Sequence, residues 1–87
     1  MHEASLIKGL LRQVEEIVRA EKSERAVGIK VTLGALSHFS PEHFQEHFDH
    51  ESPGTLAEGA QLSITLDENT QADHAQGVWL ESVEVAE

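Results

Sequence analysis

The stretch that decides the fold is Val27-Gly-Ile-Lys-Val-Thr-Leu-Gly-Ala-Leu36. Apolar side chains recur at every second position, and the polar residues Lys30 and Thr32 lie between them. An alternation with a period of two is typical of a strand that buries one face and exposes the other. We therefore predict a strand over 27–36. Its apolar face consists of Val27, Ile29, Val31, Leu33 and Ala35.

One helix is predicted before this strand in the sequence and one after it. Residues 5–21 carry apolar side chains at helical spacing and polar ones between them, which is typical of an amphipathic helix. Gly9 inside this helix costs about 1 kcal/mol relative to alanine, and it indicates a close approach to a neighbouring element. Ser40 and Pro41 open the second helix as N-cap and first helical residue. The segment Ser52-Pro53-Gly54 ends it.

Two further strands are predicted at residues 60–67 and 78–85, where apolar and polar residues alternate again. The polar, breaker-rich residues 68–77 between them predict a loop. We expect these two strands to form an antiparallel hairpin around that loop. In the last strand Trp79, Val83 and Val85 share one parity, and Val78 and Leu80 share the other. We therefore expect this strand to be buried on both faces for part of its length.

The order helix, strand, helix, strand, strand predicts an α+β fold. We expect a small three-stranded, mainly antiparallel sheet packed against two helices. The chain has 87 residues, a length that corresponds to one domain over 1–87.

Composition narrows the range of functions. The chain has no cysteine and a formal charge of −10. Without cysteine no disulfide, thiolate zinc site or cysteine nucleophile can form. The acidic balance argues against nucleic acid, whose phosphates attract basic patches, and against anionic membrane surfaces. No stretch has the apolar length of a membrane span, and the acidic start at Glu3 is not typical of a secretory signal, so we expect a cytoplasmic protein.

No catalytic residue is predicted. Glu15 and Glu16 are adjacent and therefore point to different sides of the first helix, and Glu58 precedes a turn glycine. The sequence also contains no phosphate-binding loop and no serine with an evident neighbouring base.

The N-terminus, Met1-His2-Glu3, has the donors of a metal chelate. The α-amine of Met1 and the deprotonated amide of His2 close a five-membered ring on an ion. The same amide and the imidazole Nδ1 close a six-membered ring. Three coplanar nitrogens suit Ni(II) or Cu(II) rather than zinc, which prefers a tetrahedron. Water, Glu3 or a group from a partner can fill the fourth position.

Five segments carry a resemblance to a known family. The chain opens with Met1-His2-Glu3-x-Ser5-Leu6, and Val31-x-Leu33-Gly34-x-Leu36-Ser37 follows on the first strand. The remaining segments are Pro41-Glu42, Gly54-Thr-Leu-Ala-Glu-Gly-Ala-x-Leu-x-Ile64 and Leu80-x-Ser82-Val83-Glu84-Val85. In this order and spacing they resemble the HypA/HybF family of nickel-insertion proteins, which serve the maturation of nickel–iron hydrogenases.

The resemblance implies a cytoplasmic metallochaperone and not an enzyme. It implies one Ni(II) bound through the free N-terminus, with His2 as the essential ligand, Met1 giving its amine and Glu3 beside the site. The partners it implies are a HypB-like GTPase that supplies nickel and the large subunit of a nickel enzyme, either hydrogenase or, for some members, urease.

The chain departs from this family at two single residues and in one domain. Ala35 stands where the family has Glu in a Gly-Glu-Leu-Ser run, and His38 stands where it has a small residue. Family members carry two Cys-x-x-Cys pairs that bind structural zinc between the last two strands. Here the loop 68–77 stands in place of that zinc domain, and no structural zinc held by four cysteines can form. Residues 1–87 are therefore interpreted as a HypA-like nickel-binding domain alone.

A different class of function is a metal-independent interaction module. A paralogue that kept the fold after losing the zinc domain can still bind partners. The exposed edge of a three-stranded sheet also favours a homodimer formed by strand pairing.

The second helix contains a possible secondary metal site at His43, His47 and His50. Side chains at positions i and i+4 project from the same side of a helix, so two imidazoles can share an ion. The alternatives are a solvated helix face and a response to mild acid, because imidazoles change charge between about pH 5 and 8.

Overall fold

Two helices and three strands follow one another in the predicted order. They are α1 (His2–Ala20), β1 (Ala26–Leu33), α2 (Pro41–Glu51), β2 (Gln61–Leu66) and β3 (Val78–Val85). The structure is a computed structural model that describes residues 2–35, 37, 39–69 and 77–87, with residues 2–4 described by their backbone alone. Both helices contribute to one apolar core against the sheet, so the predicted α+β class is confirmed. Neither of these helices has the length and apolar character needed to cross a membrane.

β1 is the central strand and the most buried one. Its core-facing side chains Ile29, Val31 and Leu33 are at most 1% exposed, as the alternation predicts. The strand ends at Leu33 instead of continuing to residue 36. The reason is a turn in which the Ser37 amide donates to the carbonyl oxygen of Gly34 at 3.1 Å.

The sheet has the order β2-β1-β3, with β2 parallel and β3 antiparallel to β1. The predicted hairpin of the last two strands is therefore wrong, because β1 lies between them, and the sheet is mixed. The unit β1-α2-β2 is a parallel crossover whose helix covers the core face. β3 then pairs with the other edge of β1, which gives the most apolar strand a partner on both sides. Of the predicted loop 68–77, residues 70–76 lie outside the described residues.

β3 contains a bulge at Glu81. Ser82 and Leu80 pair with Lys30 and Val31, which are consecutive in β1, so Glu81 between them has no partner residue on β1. One extra residue reverses the parity of the strand beyond it. Four apolar side chains of β3 therefore pack against the core: Val78, Leu80, Val83 and Val85. Trp79 lies half-buried on the outer face, apart from the two valines that share its parity in the sequence.

α1 begins at His2, three residues before the predicted start at residue 5. Its buried side chains are Ile7, Leu10, Leu11, Val14 and Val18. The helix ends at Ala20, and Lys22 adopts a left-handed conformation with φ 57° just beyond it. The predicted close approach at Gly9 is wrong, because a Cβ at that position would meet no atom of the described residues within 4 Å.

α2 is fixed by its cap and by two phenylalanines. The Ser40 hydroxyl accepts a hydrogen bond from the His43 amide at 3.1 Å, which confirms the predicted N-cap. Phe44 and Phe48 are buried in the core. Phe39 packs edge-on against Phe44 with ring centres 5.3 Å apart, as in a hydrophobic staple. The side of α2 opposite the phenylalanines is therefore held outward in a defined orientation.

Gly9→Ala is expected to stabilise the domain by about 0.5–1 kcal/mol, because alanine is the better helix former and the site has room for a methyl group. For a domain of this size, Tm rises by roughly 4–8 °C per kcal/mol. Thermal unfolding followed by circular dichroism measures the change. Gly54→Ala is the matched control, because its φ of +84° strains any L side chain and should lower Tm. A lower Tm for Gly9→Ala would contradict the geometry of α1.

Candidate metal centre

The start of α1 lies at the carboxyl end of β1. The two elements are joined by residues 21–25 alone, so they run antiparallel. Leu6 and Leu10 of α1 line a cavity together with Val78, and Val78 pairs with Leu33, the last residue of β1. The predicted metal-binding N-terminus is therefore attached to a rigid helix at this end of the sheet.

Two connections also leave the sheet at this end. The Gly34 amide donates to the carbonyl oxygen of Gly77 at 2.8 Å, and the Asp67 amide donates to that of Leu33 at 2.9 Å. The ends of β1 and β2 and the start of β3 are thus held side by side. Two strand spacings, about 10 Å in total, separate the ends of the connection 67–77, which is far longer than this gap requires.

The structure describes the predicted N-terminal ligands in part. Met1 lies outside the described residues, and His2 and Glu3 are described by their backbone alone. The backbone of His2 and Glu3 belongs to the first turn of α1. The first four amides of a helix have no acceptor within the helix. The His2 amide therefore takes no part in the hydrogen bonding of α1.

His43 and His47 lie side by side on α2, with ring centres 5.2 Å apart and ring planes at 47°. His43 is exposed and His47 is half-buried. The ring of Phe39 stands edge-on to that of His47 at 6.4 Å. Among the described residues, no group of three or more His, Asp or Glu is placed to hold one ion. The structure thus pairs two of the three predicted histidines, and a joint site with His50 stays a prediction.

Two acidic residues have structural roles at the turn between α2 and β2. Oε2 of Glu15 accepts a hydrogen bond from the Leu56 amide at 3.0 Å, and Oε1 of Glu58 accepts one from the Gly54 amide at 3.0 Å. The Leu56 carbonyl oxygen in turn accepts from the Ala26 amide at 2.8 Å. The turn is thereby tied to α1 and to the start of β1. Sequence analysis missed this role of Glu15, because its partner lies 41 residues away and no local pattern indicates it.

A second polar group that sequence analysis missed lies on the outer face of the sheet. Oε2 of Glu81 accepts hydrogen bonds from the Thr32 hydroxyl at 2.8 Å and from the Trp79 indole at 2.5 Å. The bulge brings these three side chains together, and strict alternation gives no signal for it. The contacts hold β3 to β1 on the face that the helices do not cover.

Comparison with known proteins identifies the family. The family of hydrogenase/urease nickel-incorporation metallochaperones, HypA, matches residues 1–76. The hydrogenase maturation factor HypA of Methylocella silvestris is 42% identical over 66 residues, which are 76% of this chain and 58% of that protein. HypA of Archaeoglobus fulgidus is 33% identical over 67 residues, which are 77% of this chain and 61% of that protein. The chain therefore belongs to the HypA family, and it spans about three fifths of the length of these relatives.

Solved structures agree with this assignment at the level of the fold. The solution structure of the Ni metallochaperone HypA from Helicobacter pylori matches with a TM-score of 0.81 at 16% identity, over 95% of this chain and 96% of that chain. A second HypA solution structure matches with a TM-score of 0.77 at 17% identity, over 99% and 97%. The predicted family resemblance is confirmed. So is the prediction of a protein that is not an enzyme, because the family consists of maturation factors.

Glu15→Ala is expected to lower the free energy of unfolding by about 1.5 kcal/mol, because the Leu56 amide loses a charged acceptor. Urea denaturation measures the shift. Glu16→Ala is the matched control, since Glu16 is exposed on the same helix, and its effect should stay within about 0.5 kcal/mol. Equal midpoints for the two variants would show that the contact with the turn contributes nothing to stability.

Proposed function

We propose that this chain binds one Ni(II) through its free N-terminus and delivers the ion to a nickel enzyme. The observation that carries the proposal is the start of α1 at His2, which attaches the chelating residues directly to a rigid element. The family's role in nickel incorporation supports nickel over copper as the cargo.

The proposed ligands are the amine of Met1 and the amide nitrogen and imidazole Nδ1 of His2. Deprotonation of the His2 amide breaks no hydrogen bond of α1, because the first amides of a helix have no helical acceptor. Binding of Ni(II) also leaves the net charge at the start of α1 unchanged. A protonated amine has one positive charge, and so does Ni(II) combined with one deprotonated amide. The positive end of the helix dipole therefore faces the same charge before and after binding.

Three protein nitrogens leave the fourth position of a square plane open. Water, Glu3 or a donor group from a partner fills it. An open position allows a receiving protein to bind the ion before the N-terminus releases it, which suits delivery better than storage. A HypB-like GTPase as the supplier and the large subunit of hydrogenase or another nickel enzyme as the receiver belong to this proposal.

The connection 67–77 is proposed to stand in place of the zinc domain that the resemblance implies for longer members of the family. Two observations support this. The chain has no cysteine for a four-cysteine zinc site, and hydrogen bonds at Asp67 and Gly77 close the sheet at both ends of the connection. Residues 1–87 are then one nickel-binding domain, and a cytoplasmic location is part of the same proposal.

His2→Ala is expected to weaken Ni(II) binding by roughly two orders of magnitude, because the tridentate chelate loses its imidazole. Calorimetry gives the affinity. The visible absorption band of planar Ni(II) reports the nitrogen plane itself. Mass spectrometry must first establish that Met1 is retained in the purified protein.

Nα-acetylated protein is the matched control for this experiment, because it keeps His2 and removes only the amine donor. We expect the same loss of affinity and of the absorption band. Glu3→Gln should leave both largely intact if water or a partner fills the fourth position. Acetylated protein that binds Ni(II) with an unchanged band would refute the N-terminal site.

A metal-independent interaction module is the second candidate function, and strand β2 favours it. β2 reads Gln-Leu-Ser-Ile-Thr-Leu and carries no charge, although 25% of the chain is charged. Within the described residues β2 pairs with β1 alone. Edge strands are commonly protected from further pairing by charged side chains. An uncharged edge suits a strand from a second copy or from a partner.

Ser63→Lys is expected to reduce such association, because it places a charge in the middle of the β2 edge. Sedimentation velocity over a range of concentrations measures the dimer fraction. Ser82→Lys is the matched control, since Ser63 and Ser82 both pair with Lys30, from opposite edges of the sheet. Identical sedimentation of the two variants would argue against association through the β2 edge. Loss of association in His2→Ala would show that the association depends on the metal.

A further inference from the structure

The histidine pair of α2 is held in a defined place. His43 and His47 directly precede Phe44 and Phe48, which are 0% and 2% exposed. The two buried phenylalanines fix the rotation of the helix and therefore the direction of both histidines. The edge-on contact with Phe39 also restricts the ring of His47.

The separation of the two rings fits a tetrahedral ion. A metal–nitrogen distance of about 2.0–2.1 Å places each imidazole centre about 3.2 Å from the ion. At a tetrahedral angle, two ring centres are then about 5.2 Å apart, and at a right angle they are about 4.5 Å apart. The observed separation is 5.2 Å. The observed separation is therefore that expected of two imidazoles on one tetrahedral ion.

The surroundings of the pair favour a cation. Glu42 and Glu46 precede the two histidines in the sequence and are both exposed. The chain as a whole has a formal charge of −10. Glu46 and His47 line an open cavity together with His50, which leaves room beside the pair for water or for a ligand from another molecule.

We propose that His43 and His47 form a two-histidine site for a divalent ion that prefers imidazole in a tetrahedral arrangement, with Zn(II) as the first candidate. Among the described residues no third ligand is in place, so the proposed site leaves its further coordination positions to water or to a ligand from another molecule. The site is therefore an exchangeable one and not a closed structural site. It is separate from the N-terminal nickel chelate in ligands and in geometry.

The test is a calorimetric titration of the full chain with Zn(II), combined with NMR of the imidazole nitrogens. One Zn(II) is expected to bind, and His43→Ala and His47→Ala should each weaken it at least about tenfold, since each removes one of two ligands. His47→Gln repeats the second test with a polar side chain of similar size, and circular dichroism checks that α2 stays helical.

Two controls separate the pair from histidine content in general. His50→Ala removes an exposed histidine from the same helix and should leave the affinity unchanged. The double variant Glu42→His/His43→Glu keeps the composition and moves one imidazole away from the i, i+4 position, so it should bind as weakly as His43→Ala.

The proposal is overturned if wild-type protein binds no Zn(II). It is also overturned if His43→Ala or the double variant Glu42→His/His43→Glu binds Zn(II) as tightly as wild type. Equal weakening by His50→Ala would also overturn the two-residue site. His2→Ala should retain the Zn(II) site, and loss of Zn(II) in that variant would assign the ion to the N-terminus. The nickel proposal is judged by the Ni(II) band alone, so either proposal can fail while the other stands.

Discussion

The burial of β1 is the constraint on which the rest of the structure depends. A strand whose inner side chains are almost fully buried requires a covered face and a partner along each edge. A chain of 87 residues has material for one such core, so α1 and α2 both pack on the same face. A short connection joins each helix to β1 in the sequence. The end of α1 therefore lies at the start of β1, and the start of α2 lies at the end of β1. As a result, the start of α1, the start of α2 and both ends of the connection 67–77 lie at the carboxyl end of β1.

The elements of the fold could be predicted because their signals are local. Alternation in 27–36 and the cap at Ser40 depend on residues within one or two turns of each other. The order of the strands could not be predicted in the same way, since β2 and β3 have similar patterns and neither pattern indicates which edge of β1 the strand occupies. The bulge at Glu81 has a larger effect than its size suggests, because one unpaired residue moves Trp79 to the outer face.

The candidate sites also divide into those with a local signal in the sequence and those formed by contacts between distant segments. The donors of Met1 and His2 could be predicted because the chelate is formed by consecutive atoms of the chain. The pairing of His43 with His47 could be predicted from helical spacing. The hydrogen bond from Leu56 to Glu15 joins distant segments, and no local pattern indicates it. The turn that carries much of the family resemblance has a structural role, because Glu58 accepts a hydrogen bond within it and Glu15 ties it to α1.

The two proposed sites differ in the geometry that they offer, and this difference is how a chain without cysteine can separate metals. Nitrogen ligands alone bind the divalent ions with affinities in a fixed order that places copper above both nickel and zinc, so affinity by itself does not select nickel over copper. A planar set of three nitrogens at the N-terminus disfavours a tetrahedral ion. The spacing of the histidine pair on α2, 5.2 Å between ring centres, is nearer to that of a tetrahedral angle than to the roughly 4.5 Å of a right angle. Under these two proposals the sites lie on different helices of one core, and each selects its ion by the angles between its ligands.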